Sequence, residues 1–128
     1  MAKQLILIVE DNEKSLKLLK DVLRSKDYET VEATTAEDGL ELVRTQQPAL
    51  ILMDIRLPGM NGVTALMKLR EDASTKEIPV IAVTASAMPM DRGRIMSAGF
   101  DGYITKPIES ARFPTQIASF LKDAADGR

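Results

Sequence analysis

The chain has 128 residues with a formal net charge of −2, and 45% of its residues are hydrophobic against 28% charged. This composition predicts one globular domain and excludes disorder and an overall basic field for nucleic acid or an anionic membrane. The absence of cysteine and histidine excludes disulfides, thiol catalysis, a phosphohistidine carrier, a Ser-His-Asp triad and His-ligated metals.

The first predicted strand is the apolar run Leu5–Val9, which Glu10 and Asp11 end. The run is too short for a signal-peptide core, and no apolar stretch approaches the ~20 residues needed to span a bilayer. We therefore expect the protein to be cytoplasmic. The helix that follows is amphipathic, with apolar residues at three- and four-residue spacings: Leu16, Leu19, Val22 and Leu23.

Further strands and helices are predicted to alternate along the rest of the chain. The strand candidates are Thr30–Ala33, Leu50–Met53, Val80–Val83 and Gly102–Ile104. The helix candidates are Ala36–Gln46, Gly62–Asp72, about 88–98, which Gly99 is expected to end, and a last helix carrying Phe113, Ile117, Phe120 and Leu121. Strands one, three and four are apolar at nearly every position, which is typical of parallel strands covered on both faces.

This alternation predicts right-handed crossovers and an α/β fold, a three-layer α/β/α sandwich around a parallel sheet. Of the two common doubly wound strand orders, only the flavodoxin-like order 2-1-3-4-5 fits five strands, and its crevice lies at the carboxyl ends of strands one and three. The sequence places Glu10, Asp11 and Asp54 there. We expect a single domain over residues 1–128, with no output domain.

Three carboxylates in one crevice predict a cation site. At ~5 Å and an effective dielectric near 20, each pair repels by roughly 3 kcal/mol. Mg²⁺ is the expected ion, because it takes oxygen ligands and keeps several waters. The predicted ligands are Asp11, Asp54, the backbone carbonyl of Arg56 just after Asp54, and, through water, Glu10.

Asp54 is also the predicted nucleophile. An aspartate carboxylate can attack phosphorus to form an acyl phosphate, and the end of a buried strand holds such a group rigidly. The added negative charge requires donors. Thr84, ending strand four, offers a hydroxyl, Lys106, following strand five, offers an ammonium, and Ala85 leaves room beside the phosphoryl group.

Each of these residues also has an ordinary structural interpretation. Asp11 or Asn12 can cap the first helix. Asp54 can be a turn residue, Thr84 a β-branched strand former and Lys106 a solvated surface charge. The functional hypothesis depends on the joint pattern, in which four predicted strands end at groups that a phosphoryl site needs.

Four segments resemble the signature blocks of CheY-like receiver domains of two-component systems, and the resemblance covers essentially the whole chain. They are Val9-Glu10-Asp11-Asn12, Leu52-Met53-Asp54-Ile55 with Pro58-Gly59-Met60-Asn61-Gly62, Val83-Thr84-Ala85, and Tyr103-Ile104-Thr105-Lys106-Pro107. The Glu-Asp-Asn opening, the Ala-Val-Thr-Ala segment and the Lys-Pro-Ile ending are most similar to single-domain DivK-type cell-cycle regulators.

The resemblance implies a signalling switch rather than an enzyme with an external substrate. A sensor histidine kinase or phosphotransferase would phosphorylate Asp54, and the protein would signal by protein contact. The resemblance further implies that Thr84 moves onto the phosphoryl group, that Tyr103 rotates from exposed to buried, and that the Lys106 to Pro107 peptide is cis.

The resemblance leaves several properties open. Arg56 and Ser86 occupy positions that tune the phosphoryl lifetime in this family. Partner contact is expected at the face built from helix four, strand five and helix five, without nucleic acid or membrane, by a monomer or weak dimer. Within the family, a phosphate sink and a relay intermediate without its own output are the alternatives to a switch.

Two other classes fit less well. A phosphatase of the haloacid dehalogenase class also uses an aspartate nucleophile and Mg²⁺, but it needs a second Asp two residues on, where this chain has Arg56. A flavodoxin-like electron carrier would need a Ser/Thr/Gly-rich phosphate loop and aromatic residues around the flavin. Here Glu10 and Asp11 would repel the flavin phosphate, and aromatic residues are only 4% of the chain.

Overall fold

A computed structural model describes residues 3–57, 59–85 and 89–126 of the chain. Within these residues, strands and helices alternate. The strands are β1 Leu5–Val9, β2 Glu29–Ala33, β3 Leu50–Asp54, β4 Val80–Thr84 and β5 Gly102–Thr105. The helices are α1 Glu13–Ser25, α2 Ala36–Gln46, α3 Gly62–Glu71, α4 Pro89–Ala98 and α5 Phe113–Asp126. None of the helices in the described ranges is long and apolar enough to cross a membrane.

The strands form one parallel sheet in the order β2-β1-β3-β4-β5. The predicted order 2-1-3-4-5 is therefore confirmed. Asp54 and Thr84 belong to the strands rather than to the loops after them, since Asp54 is in register with Val83 and Thr84 with Thr105. Both polar residues are thus held by the sheet itself.

The core lies in two layers, one on each face of the sheet. Alternate strand residues point to opposite faces, so Leu7 and Val9 of β1 pack in one layer while Ile6 and Ile8 pack in the other. The first layer is closed by residues of α2, α3 and α4, and the second by residues of α1 and α5. This arrangement confirms the predicted three-layer sandwich.

Side-chain caps fix the starts of three helices. The Asn12 side chain accepts a hydrogen bond from the backbone N–H of Ser15 at 3.0 Å, and Thr35 and Asn61 cap α2 and α3 in the same way. Such caps typically contribute about 1 kcal/mol each. Because Asn12 is the cap of α1, the neighbouring Asp11 side chain is not needed for that role.

A polar cluster joins elements at the amino ends of β4 and β5. Arg70 of α3 donates hydrogen bonds to the carbonyls of Lys76 and Ile78, at 2.9 and 2.8 Å, and to the Asp101 carboxylate at 2.7 Å. Asp101 also accepts a hydrogen bond from the backbone N–H of Val80 at 2.9 Å. The guanidinium therefore ties the end of α3 to the chain entering both strands.

We expect Arg70→Lys to destabilise the protein by about 1 to 2 kcal/mol, because an ammonium cannot reproduce the forked set of hydrogen bonds. Urea unfolding measures this loss. Arg44→Lys is the matched control, since the Arg44 side chain is exposed and forms an ion pair with the exposed Glu41, and its effect should stay within about 0.5 kcal/mol. Equal effects of the two substitutions would contradict a structural role for the cluster.

Candidate functional site

Three carboxylates meet at the carboxyl edge of the sheet. Glu10 and Asp11 follow β1 and Asp54 ends the adjacent β3, where Val9 and Met53 are in register. One carboxylate oxygen from each of the three acids lies within 4.8 Å of the others. Glu10 and Asp54 are only 1% and 7% exposed, whereas Asp11 is exposed to solvent. The structure thus brings together the acidic residues selected from the sequence.

Lys106, the residue after β5, places one positive charge between two of these acids. Its Nζ lies 2.6 Å from Oε1 of Glu10 and 3.4 Å from Oδ2 of Asp54. The sequence assigned Lys106 to a phosphoryl group and gave no sign of its contact with Glu10. The reason is that β4 and β3 separate β5 from β1 in the sheet, so the contact depends on the combined reach of the Lys106 and Glu10 side chains.

The two buried ionisable groups have displaced pKa values. The pKa of Glu10 is raised from 4.5 to about 7, first by burial and then by hydrogen bonding to Asp54, against the opposing effect of Lys106. Burial alone lowers the pKa of Lys106, but the contacts with Glu10 and the charge of Asp54 outweigh it, so this pKa lies above its ordinary value. Lys106 is therefore a cation at neutral pH, and Glu10 is close to its titration point.

The donor set fits a hard divalent cation. The buried Oε1 atom of Glu10 has the Lys106 ammonium as its charged partner at 2.6 Å. All three candidate ligands offer carboxylate oxygens, and the exposed Asp11 leaves one side open for water. Mg²⁺ prefers oxygen ligands and retains waters. Glu10, Asp11 and Asp54 are therefore the residues that can hold it.

The groups proposed to contact a phosphoryl moiety lie on neighbouring strands. Thr84 is buried at the end of β4, beside β3 and Asp54. The backbone carbonyl of Thr84 accepts a hydrogen bond from the N–H of Lys106 at 2.7 Å. The end of β4 is thus joined to the residue after β5, and the Lys106–Pro107 peptide bond that follows is cis.

The remaining residues selected from the sequence surround this centre or lie outside it. Arg56 has an exposed side chain, and its backbone N–H donates to Oδ1 of Asp54 at 3.0 Å. Tyr103, in the middle of β5, is half-buried and packs against the core layer that contains α2, α3 and α4. Ser86 lies outside the described residues.

Comparison with known proteins assigns the class of this site. The model of the response regulator receiver domain matches residues 6–118, and the chain belongs to this family. The chain is similar to the polar-differentiation response regulator DivK of Brucella ovis, with 44% identity over 119 residues that cover 93% of this chain and 97% of the relative.

Solved structures agree with this assignment. A CheY-like receiver domain protein from Methanospirillum hungatei JF-1 superposes with a TM-score of 0.88 at 30% identity, covering 99% of this chain and 100% of that one. The receiver domain of the sensor histidine kinase PA1611 from Pseudomonas aeruginosa PAO1 has a TM-score of 0.86 at 30% identity, covering 94% and 99%. That protein holds a magnesium ion in its active site cleft.

The family confirms the resemblance carried by the four sequence segments. Receiver domains are signalling proteins rather than classical enzymes. They act with histidine kinases or phosphotransferases and with downstream partners. The acidic cluster of this chain is compatible with the magnesium site of such domains.

The pKa of Glu10 predicts how stability depends on pH without metal. Native Glu10 keeps its proton up to about pH 7, whereas the unfolded chain loses it near pH 4.5. Its contribution is therefore complete below pH 4.5 and is lost as the pH rises through 7. We expect Glu10→Gln to be more stable than the wild type by less than about 1 kcal/mol at pH 5 and by roughly 1 to 3 kcal/mol at pH 8.

Urea unfolding in the presence of a chelator measures this difference at each pH. Glu41→Gln serves as the control, because the Glu41 side chain is 65% exposed and should give the same difference from wild type at both pH values. A Glu10→Gln variant whose difference from wild type does not change between pH 5 and pH 8 would disprove the assigned titration.

Proposed function

We propose that the protein is a phosphorylation-dependent switch in which Asp54 accepts a phosphoryl group from the phosphohistidine of a sensor kinase or phosphotransferase. The observation that supports this most directly is the cluster itself. Asp54 is nearly buried beside Glu10 and Asp11, and the ammonium of Lys106 lies 3.4 Å from its carboxylate. A rigid nucleophile, a place for a divalent cation and a fixed positive charge are the parts that phosphoryl transfer needs.

The transfer step is a displacement at phosphorus. A carboxylate oxygen of Asp54 forms a bond to phosphorus as the bond between phosphorus and the donor imidazole breaks, and the imidazole leaves with the electron pair. Mg²⁺ would be held by Asp11, Asp54 and the Arg56 carbonyl and, through water, by Glu10. There it would supply positive charge to the phosphoryl oxygens. Hydrolysis of the acyl phosphate by water reverses the switch.

Lys106 and Thr84 then stabilise the product. The ammonium, which in this structure contacts Glu10 and Asp54, makes a charge-assisted hydrogen bond to the phosphoryl group. The Thr84 hydroxyl donates a second hydrogen bond from the end of β4. Arg56 and Ser86 adjust the lifetime of the acyl phosphate.

The proposed output passes through β5 to protein partners. A movement of Thr84 reaches this strand directly, because Thr84 is paired with Thr105 and its carbonyl binds the N–H of Lys106. Tyr103 lies two residues before Thr105 and is half-buried, so it can change its burial with the strand. Phosphorylation would shift a two-state equilibrium at the face of α4, β5 and α5.

The similarity to DivK supports a role in cell-cycle signalling. A cytoplasmic location and a monomeric or weakly dimeric state remain predictions. The second candidate functions are a phosphate sink and a relay intermediate, which use the same acceptor chemistry without an output of their own.

The acceptor is tested by intact mass spectrometry after incubation with Mg²⁺ and acetyl phosphate. We expect a single phosphoryl adduct on the wild type, none on Asp54→Asn, and none after chelation of the metal. Asp38→Asn, which alters an exposed carboxyl in the first turn of α2, should form the adduct as the wild type does. An adduct that persists on Asp54→Asn would refute this assignment of the acceptor.

The switch is tested by tyrosine fluorescence, because the chain has two tyrosines and no tryptophan. In a Tyr28→Phe background, Tyr103 is the only tyrosine, and its emission should change when the adduct forms. Adding Thr84→Ala should preserve the adduct and abolish most of the change. An adduct without any change in the Tyr103 emission would contradict the switch and favour the phosphate sink.

A further inference from the structure

The first residue of α3, Gly62, lies closer to the phosphoacceptor strand than a side chain would allow. A Cβ atom at Gly62 would be 2.7 Å from the carbonyl oxygen of Asp54, 2.9 Å from the Cα of Ile55 and 3.2 Å from the Cγ of Met53. The two closest atoms belong to the backbone, so no change of rotamer relieves the overlap. Gly62 does not have a positive φ. Glycine is therefore required here because there is no room for a Cβ atom, and not because of the backbone conformation.

The same residue makes a direct hydrogen bond to the residue that follows this strand. The N–H of Gly62 donates to the carbonyl of Ile55 at 3.0 Å. On the other side, the N–H of Ile55 donates to the carbonyl of Val83 in β4 at 3.4 Å. The residue after Asp54 is thus held between β4 and the start of α3. Because Asn61 caps α3 through the N–H of Thr64, the helix start is itself fixed.

We propose that Gly62 is a positioning residue for the phosphoacceptor. Its missing side chain lets α3 hold the backbone of residues 54–56, and this contact orients the Asp54 carboxylate and the Arg56 carbonyl toward the cation and the phosphoryl group. The inference rests on the proposed function of Asp54. Functional groups at such sites need placement to within about 0.5 Å, and a Cβ at 2.7 Å from a backbone oxygen forces a displacement of this size.

Three glycine variants separate positioning from stability. Gly62→Ala introduces the overlap at the site. Gly102→Ala is the matched control: its Cβ would be 2.5 Å from the ring of Phe120, at the amino end of β5. At ~3.3 Å per residue, this position is roughly 13 Å from Lys106. Gly93→Ala is the second control, because nothing lies within 4 Å of the added Cβ.

Each variant is measured by the Mg²⁺ dissociation constant from calorimetry, the rate of adduct formation with acetyl phosphate, and urea unfolding. For Gly62→Ala we expect weaker Mg²⁺ binding and slower adduct formation, each by roughly tenfold. Gly102→Ala should lose stability yet keep the Mg²⁺ dissociation constant and the adduct rate within about twofold of the wild type. Gly93→Ala should keep the dissociation constant, the adduct rate and the stability of the wild type. The inference is overturned if Gly62→Ala binds Mg²⁺ and forms the adduct as the wild type does. It is also overturned if Gly102→Ala loses as much Mg²⁺ affinity and adduct rate as Gly62→Ala.

A measurement on the wild type covers the case in which Gly62→Ala does not fold. By NMR, the Gly62 amide should exchange with solvent as slowly as amides inside α3, and its resonance should shift during a Mg²⁺ titration. Fast exchange with an unmoved resonance would overturn the inference. A wild type that forms no adduct with acetyl phosphate or with a phosphohistidine donor would refute the acceptor function of Asp54, while the Mg²⁺ titrations would still decide the role of Gly62.

Discussion

The mutual repulsion of carboxylates at one edge of the sheet is the constraint on which the rest of this structure depends. Glu10 and Asp54 are almost fully buried, and a buried charge is tolerated only when it is paired or neutralised. The structure meets this requirement with the ammonium of Lys106 and with a proton that Glu10 retains to about pH 7. A divalent cation can replace that proton, and a phosphoryl group can engage the ammonium.

The fold and the acidic cluster were predictable because both follow from local patterns. Unbroken apolar runs identified the buried strands, and the order of a five-stranded doubly wound sheet determined which strand ends meet. The errors were small. The apolar runs end at Met53 and Val83, one residue before β3 and β4 end, because Asp54 and Thr84 are polar although their backbone continues the sheet.

Other features could not be predicted because they depend on three-dimensional reach. The contact of Lys106 with Glu10 crosses two intervening strands. In the sequence, Gly62 is typical of a residue that begins a helix after a turn. Only the close approach of α3 to Asp54 in the structure explains why a side chain is excluded there. In the sequence, Arg70 is an ordinary cation near the end of a helix. Its four partner groups come from the segment between α3 and β4 and from the segment between α4 and β5.

The position of β5 between two polar clusters has a mechanical consequence. Asp101, just before the strand, is bound by Arg70 and by the N–H of Val80, whereas Lys106, just after it, contacts Asp54, the proposed phosphoacceptor. A strand that is anchored at one end and pulled at the other behaves as a lever. If Asp54 is phosphorylated as proposed, the displacement would grow from Gly102 toward Lys106, and β5 would tilt about its amino end instead of sliding along β4.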